Sequence, residues 1–133
     1  MLKYILMLVF APLLVAPAHA QRAQIPKSFQ GEWSYLAEGS SGACKRGDYE
    51  KHENDGLMKV AVDSVGYWES YCEAKSARAA DDVLTLDMAC RGEGETWRET
   101  SVWTLKTLHG KETLIVYSQV KARKMIHAYA RCQ

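Results

Sequence analysis

Apolar residues recur at every second position in much of the chain beyond residue 57, and this pattern limits the fold more than any other feature. The clearest run is the face formed by Leu84, Leu86, Met88 and Cys90. A period of two places alternate side chains on one face of a β-strand, whereas a helix needs a period near 3.6. The sequence therefore predicts strands. One alternative stays open, because residues 73–80 are rich in Ala, Lys and Arg and also suit a short helix.

Five clusters of turn-forming residues separate these runs. They lie at residues 39–42, 54–56, 80–82, 91–94 and 109–111. The spacing predicts an all-β fold, a single antiparallel meander or small barrel of seven to eight strands. Closing such a sheet into a barrel leaves no exposed edge strand.

The inward face of the last strand is predicted from its apolar and small residues. These residues are Ile126, Ala128, Ala130 and Cys132. The alternate residues His127, Tyr129 and Arg131 then lie outside the predicted core.

Residues 1–20 have the features of a secretory signal peptide. Lys3 precedes an apolar stretch at 5–17, and Ala18 and Ala20 place small residues before the expected cleavage point. The apolar stretch is shorter than the roughly 20 residues that cross a bilayer, so we expect no stable membrane insertion after cleavage. Residues 21–133 are predicted to form a single disulfide-bonded β domain in the periplasm or outside the cell. Residues 21–27 are expected to be a loose tail.

The charges of the chain are balanced, with 17 Lys and Arg against 16 Asp and Glu. Proteins that bind nucleic acid through its phosphates usually carry a clear basic excess or a basic face. We therefore expect no nucleic-acid partner.

All four cysteines follow the predicted leader, and export makes two disulfides the natural interpretation. Zinc sites usually bring their ligands in close pairs, and the gaps of 28, 18 and 42 positions argue against a metal. We favour the pairs Cys44–Cys72 and Cys90–Cys132, because the second would hold the C-terminus against the middle of the chain. A turn near residues 80–81 would instead place Cys72 opposite Cys90, and that pairing stays open.

The segment FQGEW carries a family resemblance. Its Gly31 and Trp33 form a G-x-W that resembles the first motif of lipocalin and calycin barrels. The resemblance implies that Trp33 closes the barrel floor and that an Arg of the last strand, Arg131 here, lies against its ring. The interpretation of Trp33 as an ordinary core aromatic at a strand start stands beside it.

The length, signal peptide and early Trp are also similar to those of compact exported protease inhibitors of bacteria. The overall layout is similar to that of uncharacterised exported proteins of proteobacteria that end in an Arg-Cys pair. Inhibitors of the first kind place a free N-terminal tail in the protease cleft, which would assign that role to residues 21–27. Resemblance of this sort concerns the fold more than the function.

The strongest candidate for a contact surface is the segment RGEGETWR. Its candidate binding residues are Arg91, Glu93, Glu95, Trp97 and Arg98. Trp97 stands beside a predicted turn and is the tryptophan that we expect at the surface, whereas Trp68 and Trp103 are in phase with apolar neighbours and are expected in the core. The carboxylates of this segment also suit a glycoside hydrolase or a cation site, although charged turns are usually ordinary surface.

No catalytic constellation is evident in the sequence. A G-x-S-x-G motif is missing, and the disulfides would consume the thiols that a Cys-His pair needs. The sequence thus predicts an exported, non-catalytic binding protein without metal or cofactor, whose partner is an envelope or extracellular protein or a small ligand. An alternative is a small inhibitor of a protease or lysozyme that acts through its tail or a loop. A third is a hydrolase that uses Glu93 and Glu95.

Overall fold

The computed structural model describes residues 23–38 and 41–133 of the chain. Within these ranges, eight antiparallel strands form a closed barrel in which each strand pairs with its neighbours in sequence. The strands are β1 (Gly31–Tyr35), β2 (Leu57–Val60), β3 (Ser64–Gly66), β4 (Ser70–Ala80), β5 (Val83–Gly92), β6 (Glu95–Leu108), β7 (Lys111–Val120) and β8 (Arg123–Arg131). The predicted all-β fold of seven to eight strands is confirmed. The predicted signal peptide lies outside the described residues.

β1 closes the barrel by pairing on both sides. Trp33 lies opposite Met58 of β2 and opposite Arg131 of β8. Closure leaves no strand of the barrel with an unpaired edge along its whole length, which removes a common route to aggregation.

Tight turns with left-handed residues join the long strands. Asp81 links β4 to β5, Glu93 and Gly94 link β5 to β6, and His109 and Gly110 link β6 to β7, each with positive φ. Two consecutive residues with positive φ are typical of the two-residue hairpin turn that matches the twist of the flanking strands. The turn signals at 80–82, 91–94 and 109–111 therefore mark true hairpins.

Residues 73–80, for which a helix was an alternative, belong to strand β4. The pairing of β4 with β5 shifts by one residue between Ala74 and Ser76. A bulge of this kind inserts one extra residue and changes which side chains face inward. Cys72 and Ala74 are buried before the bulge, and Ala77 packs against the core after it.

The core lies inside the barrel. Its fully buried large side chains include Phe29, Trp33, Met58, Leu84, Leu86, Met88, Trp103 and Leu114. The inward face predicted for β5 is confirmed, because Leu84, Leu86 and Met88 are all fully buried and Cys90 nearly so.

One end of the barrel is closed by a group of side chains that we call the floor: Ile25, Phe29 and Trp33. All three are buried, and the short 3₁₀ turn Lys27–Phe29 crosses this end. The indole N–H of Trp33 donates to the carbonyl oxygen of Phe29 at 3.1 Å. The N–H of Ile25 donates to the carbonyl of Val62 at 2.6 Å. The expectation of a loose tail is therefore wrong for residues 23–27, because Ile25 is part of the core.

Arg131 holds the floor to the last strand, as the resemblance implied. Its guanidinium lies 4.1 Å from the centre of the Trp33 ring. It donates to the carbonyl oxygens of Gln30 and Ser28 and forms a two-pronged ion pair with Glu112. Arginine's planar fork suits this arrangement, because it can stack on a ring and donate in several directions at once.

Gly31 of the G-x-W segment makes room for this arginine. It adopts a φ of +117°, and a Cβ at this position would lie 3.0 Å from Nη1 of Arg131. A side chain there would strain the backbone and press on the guanidinium. The motif thus has a physical basis in this barrel.

The favoured disulfide pairing is wrong. The bonds are Cys44–Cys132 and Cys72–Cys90, the alternative that a turn near residues 80–81 had suggested. Cys72 lies directly opposite Cys90 across the β4–β5 hairpin. Cys44 bonds Cys132, and the carbonyl oxygen of Cys44 also accepts a hydrogen bond from the N–H of Gln133.

We expect peptide mapping of the oxidised protein to recover these two pairs and no free thiol. The Cys44–Cys132 bond closes a loop with a sequence separation of 88. In the chain-entropy model, the double variant Cys44→Ala/Cys132→Ala loses about 4 to 5 kcal/mol of unfolding free energy, which urea titration measures. Recovery of a Cys90–Cys132 peptide would contradict this arrangement.

The burial of Trp33 in the floor leads to a second prediction. Trp33→Ala should lower the free energy of unfolding by about 3 to 5 kcal/mol, because it removes a fully buried ring and leaves a cavity. In a double-mutant cycle with Arg131→Ala, we expect a coupling of about 0.5 to 2 kcal/mol from the ring–guanidinium contact. Strict additivity would show that the stacking contributes nothing.

Candidate functional site

The interior of the barrel changes character from one end to the other. Near the floor it is apolar, whereas at the opposite end, which we call the mouth, tyrosine, histidine and glutamate side chains face inward. Glu99 lies opposite the fully buried Met88, and Tyr129 lies opposite the fully buried Leu114. Residues directly opposite one another share a face of the sheet, so both side chains point into the barrel.

A cavity of about 260 Å³ opens at this end, and we call it the mouth cavity. It is lined by Tyr35, Asp55, Gly56, Leu57, Tyr67, His127 and Tyr129. Its volume is just below the usual range for small-molecule sites, so its occupant would be small.

Three rings form one wall of the mouth cavity. The centres of Tyr35 and His127 are 5.4 Å apart with their planes nearly perpendicular, and those of Tyr35 and Tyr129 are 5.7 Å apart. Such edge-to-face and tilted contacts are favoured geometries for aromatic pairs. Because β1 and β8 carry these rings, the seam that closes the barrel also builds this wall.

Burial disfavours ionisation of the deeper tyrosines. It raises the pKa of Tyr67 well above its usual value and that of Tyr129 to about 12, and the charge of nearby Glu99 adds to both shifts. At neutral pH each presents an O–H group that can donate or accept a hydrogen bond, as an ordinary tyrosine does, and the raised pKa extends this to more alkaline pH.

Glu99 is the half-buried carboxyl group of the mouth. The indole N–H of Trp97 donates to it at a long 3.5 Å. One carboxylate oxygen and the sulfurs of Cys72 and Cys90 all lie within 4.8 Å of one another. Both sulfurs belong to a disulfide, so they offer no thiolates to a metal here. Burial raises the pKa of Glu99.

The predicted phase of β8 is wrong along the whole strand, because His127, Tyr129 and Arg131 lie opposite the buried Val116, Leu114 and Trp33 and therefore face inward. His127 and Tyr129, which the sequence placed outside the core, line the mouth cavity, whereas Ile126 is 65% exposed. Ala130 and Cys132 are buried for a different reason, because residues 42–44 cover the outer surface there and Cys44 binds Cys132. The outward face of β8 is therefore apolar because residues 42–44 cover part of it.

The residues predicted as a contact surface do not form one cluster. Arg91, Trp97 and Arg98 line a groove of about 450 Å³ between β4 and β6, together with Tyr71 and others; we call it the β4–β6 groove. The guanidinium of Arg91 lies 5.0 Å from the Tyr71 ring centre. Glu93 and Glu95 are exposed at the hairpin tip and are not among the residues that line the groove.

The burial of the tryptophans agrees only in part with the sequence prediction. Trp103 is fully buried as predicted. Trp97 lies opposite Cys90, is half-buried and packs against the core. Trp68 was expected in the core but is 44% exposed and meets His52 edge to face. The expectation for Trp68 is wrong because residues 67–69 form the turn between β3 and β4, where side chains no longer alternate between two faces.

Sequence reasoning missed most of the mouth cavity. Tyr35 and Tyr67 were not singled out, and Tyr129 was placed outside the predicted core. These residues come from β1, β8 and the β3–β4 turn, so no local motif unites them. An alternation of aromatic residues with small ones at the end of β8 was the one available signal.

Comparisons with protein-family models, curated proteins and solved structures found no match for the chain. The eight-stranded antiparallel barrel is consistent with a lipocalin-like architecture in the described residues. The same residues contain no helix long and apolar enough to span a membrane. The two disulfides fit a protein that matures in an oxidising compartment.

The raised pKa of Glu99 predicts a pH-dependent stability. A carboxyl group with a higher pKa in the folded state binds more protons when folded, so stability falls as pH rises from the pKa of an ordinary glutamate to the raised folded-state pKa. Glu99→Gln should therefore raise the melting temperature at neutral pH. The difference should vanish below the pKa of an ordinary glutamate. Melting curves of both proteins across this range test it, and a variant less stable than wild type at neutral pH would contradict it.

Proposed function

We propose that the chain is an exported, non-catalytic binding protein that takes a small ligand into the mouth cavity. The observation that carries the proposal is the contrast between the two ends of the barrel. One end is filled by the buried Ile25, Phe29 and Trp33, and the other has a concave site lined by aromatic and polar side chains. Such a combination is typical of small-molecule sites.

The wall of the mouth cavity is preorganised for binding. Tyr129 is held in the closing strand, and its ring contacts those of Tyr35 and His127. Side chains already fixed by packing lose little entropy when a ligand arrives. Binding also needs no nucleophile, and both disulfides leave no free cysteine among the described residues.

Export is supported by two independent features. The first is the leader-like segment at residues 1–20. The second is the pair of disulfides, which form and persist mainly in oxidising compartments.

The β4–β6 groove supports the alternative, an inhibitor of a protease or lysozyme that acts through a loop. Arg91 lies beside the Tyr71 ring and Arg98 lines the same groove, a combination of aromatic and arginine side chains that is common at protein interfaces. A tail-based inhibitor has less support, because Ile25 is held in the floor. A hydrolase has the least, since Glu93 and Glu95 are exposed at a hairpin tip and line neither site.

Two matched tyrosines distinguish the sites. Tyr35 at the mouth is 38% exposed and Tyr71 in the β4–β6 groove is 39% exposed. We expect a fragment screen by two-dimensional NMR to yield ligands that shift signals around Tyr35. Tyr35→Ala should weaken them by about tenfold or more, as for an aromatic anchor, and Tyr71→Ala should leave them unchanged.

The reverse pattern would favour the alternative. Loss of binding in Tyr71→Ala with retention in Tyr35→Ala assigns the contact to the β4–β6 groove. In that case Arg91→Ala should also weaken the complex, whereas an exposed arginine elsewhere, Arg78, offers a control of equal charge.

A further inference from the structure

The charged groups around the mouth cavity are mainly acidic. Asp55 lines it directly, and Glu99 lies close enough to Tyr67 and Tyr129 to influence both. None of the lining residues is a lysine or arginine, and His127 is the one basic side chain among them. An anionic ligand would meet unfavourable charge there, and a cation would meet favourable charge.

The rings of the cavity add to this preference. Tyr35, Tyr67 and Tyr129 all contribute to its lining. The face of an aromatic ring carries partial negative charge, so a cation placed over it is attracted, and the attraction grows when water is excluded. Ammonium groups are recognised in this way by cages of aromatic residues.

Glu99 lacks a close cationic partner. None of the ion pairs within residues 23–38 and 41–133 includes Glu99 or Asp55, and the single hydrogen bond to Glu99 is the long one from Trp97. A partly buried carboxylate is unfavourable unless it is paired or well hydrogen-bonded. Glu99 does not line the mouth cavity, but its charge acts on the lining residues Tyr67 and Tyr129 and would favour a cation held between them.

We propose that the mouth cavity binds a small organic cation with an ammonium head group. The rings of Tyr35, Tyr67 and Tyr129 would surround the head group, while the charges of Asp55 and Glu99 favour it over neutral molecules of the same shape. A cavity of about 260 Å³ suits a head group with a short substituent. This inference rests on the proposed function and specifies its ligand class.

Choline and its uncharged analogue 3,3-dimethylbutan-1-ol provide the test, because they differ mainly in one charge. We expect choline to shift the NMR signals of Tyr35 and His127 in a saturable way, with the alcohol at least about tenfold weaker. Equal affinity for the two would overturn the cation assignment while leaving a ligand cavity in place. Failure of choline to shift these signals would also overturn it, and the fragment screen would still decide the proposed function.

Charge-neutral variants test the carboxylates. Asp55→Asn and Glu99→Gln should each weaken choline several-fold and leave the alcohol unaffected, because each removes a charge but little volume. Glu93→Gln, at the exposed β5–β6 turn, is the matched control and should change neither ligand. An unaltered choline affinity in the first two variants, with spectra of a folded protein, contradicts the assigned roles.

Discussion

Closure of the sheet between β1 and β8 is the constraint on which the rest of the structure depends. Arg131 secures this seam by stacking on Trp33, donating to the carbonyls of residues 28 and 30, and pairing with Glu112. These contacts join the first strand, the last two strands and the turn beneath them. Because β1 and β8 are far apart in sequence, their pairing forms only when the whole barrel forms. The floor is therefore a cooperative part of the fold.

The same seam separates two environments inside one barrel. At the floor, Trp33 and its neighbours exclude water and provide hydrophobic stabilisation. At the mouth, β1 and β8 carry Tyr35, His127 and Tyr129, which line the mouth cavity. Glu99 is tolerated there because it is only partly buried and close to the opening. The closed floor thus stabilises the barrel, and the mouth is free to carry polar groups at some loss of stability.

The disulfides reinforce two different levels of the architecture. Cys72–Cys90 joins neighbouring strands and contributes its sulfur atoms to the barrel interior, beside Glu99. Cys44–Cys132 fixes the chain end to the segment that covers the outer surface of β8. The first therefore supports the wall of the mouth, and the second protects the closing strand from fraying.

Local sequence patterns were enough to predict the strands and the hairpin turns, because alternation and turn preference act over a few residues. The contact of Arg131 with Trp33 was an expectation from the resemblance of the G-x-W segment to a family motif, and the structure contains it. For the cysteines, sequence patterns left two pairings open and could not choose between them. Cys72 opposes Cys90 only because a bulge near residue 75 shifts the register by one, and sequence patterns do not reveal such a shift. The inward face of β8, the burial of Ile25 and the mouth cavity were decided by tertiary structure alone. Each depends on which distant segments cover a surface, and that arrangement exists only after the barrel has closed.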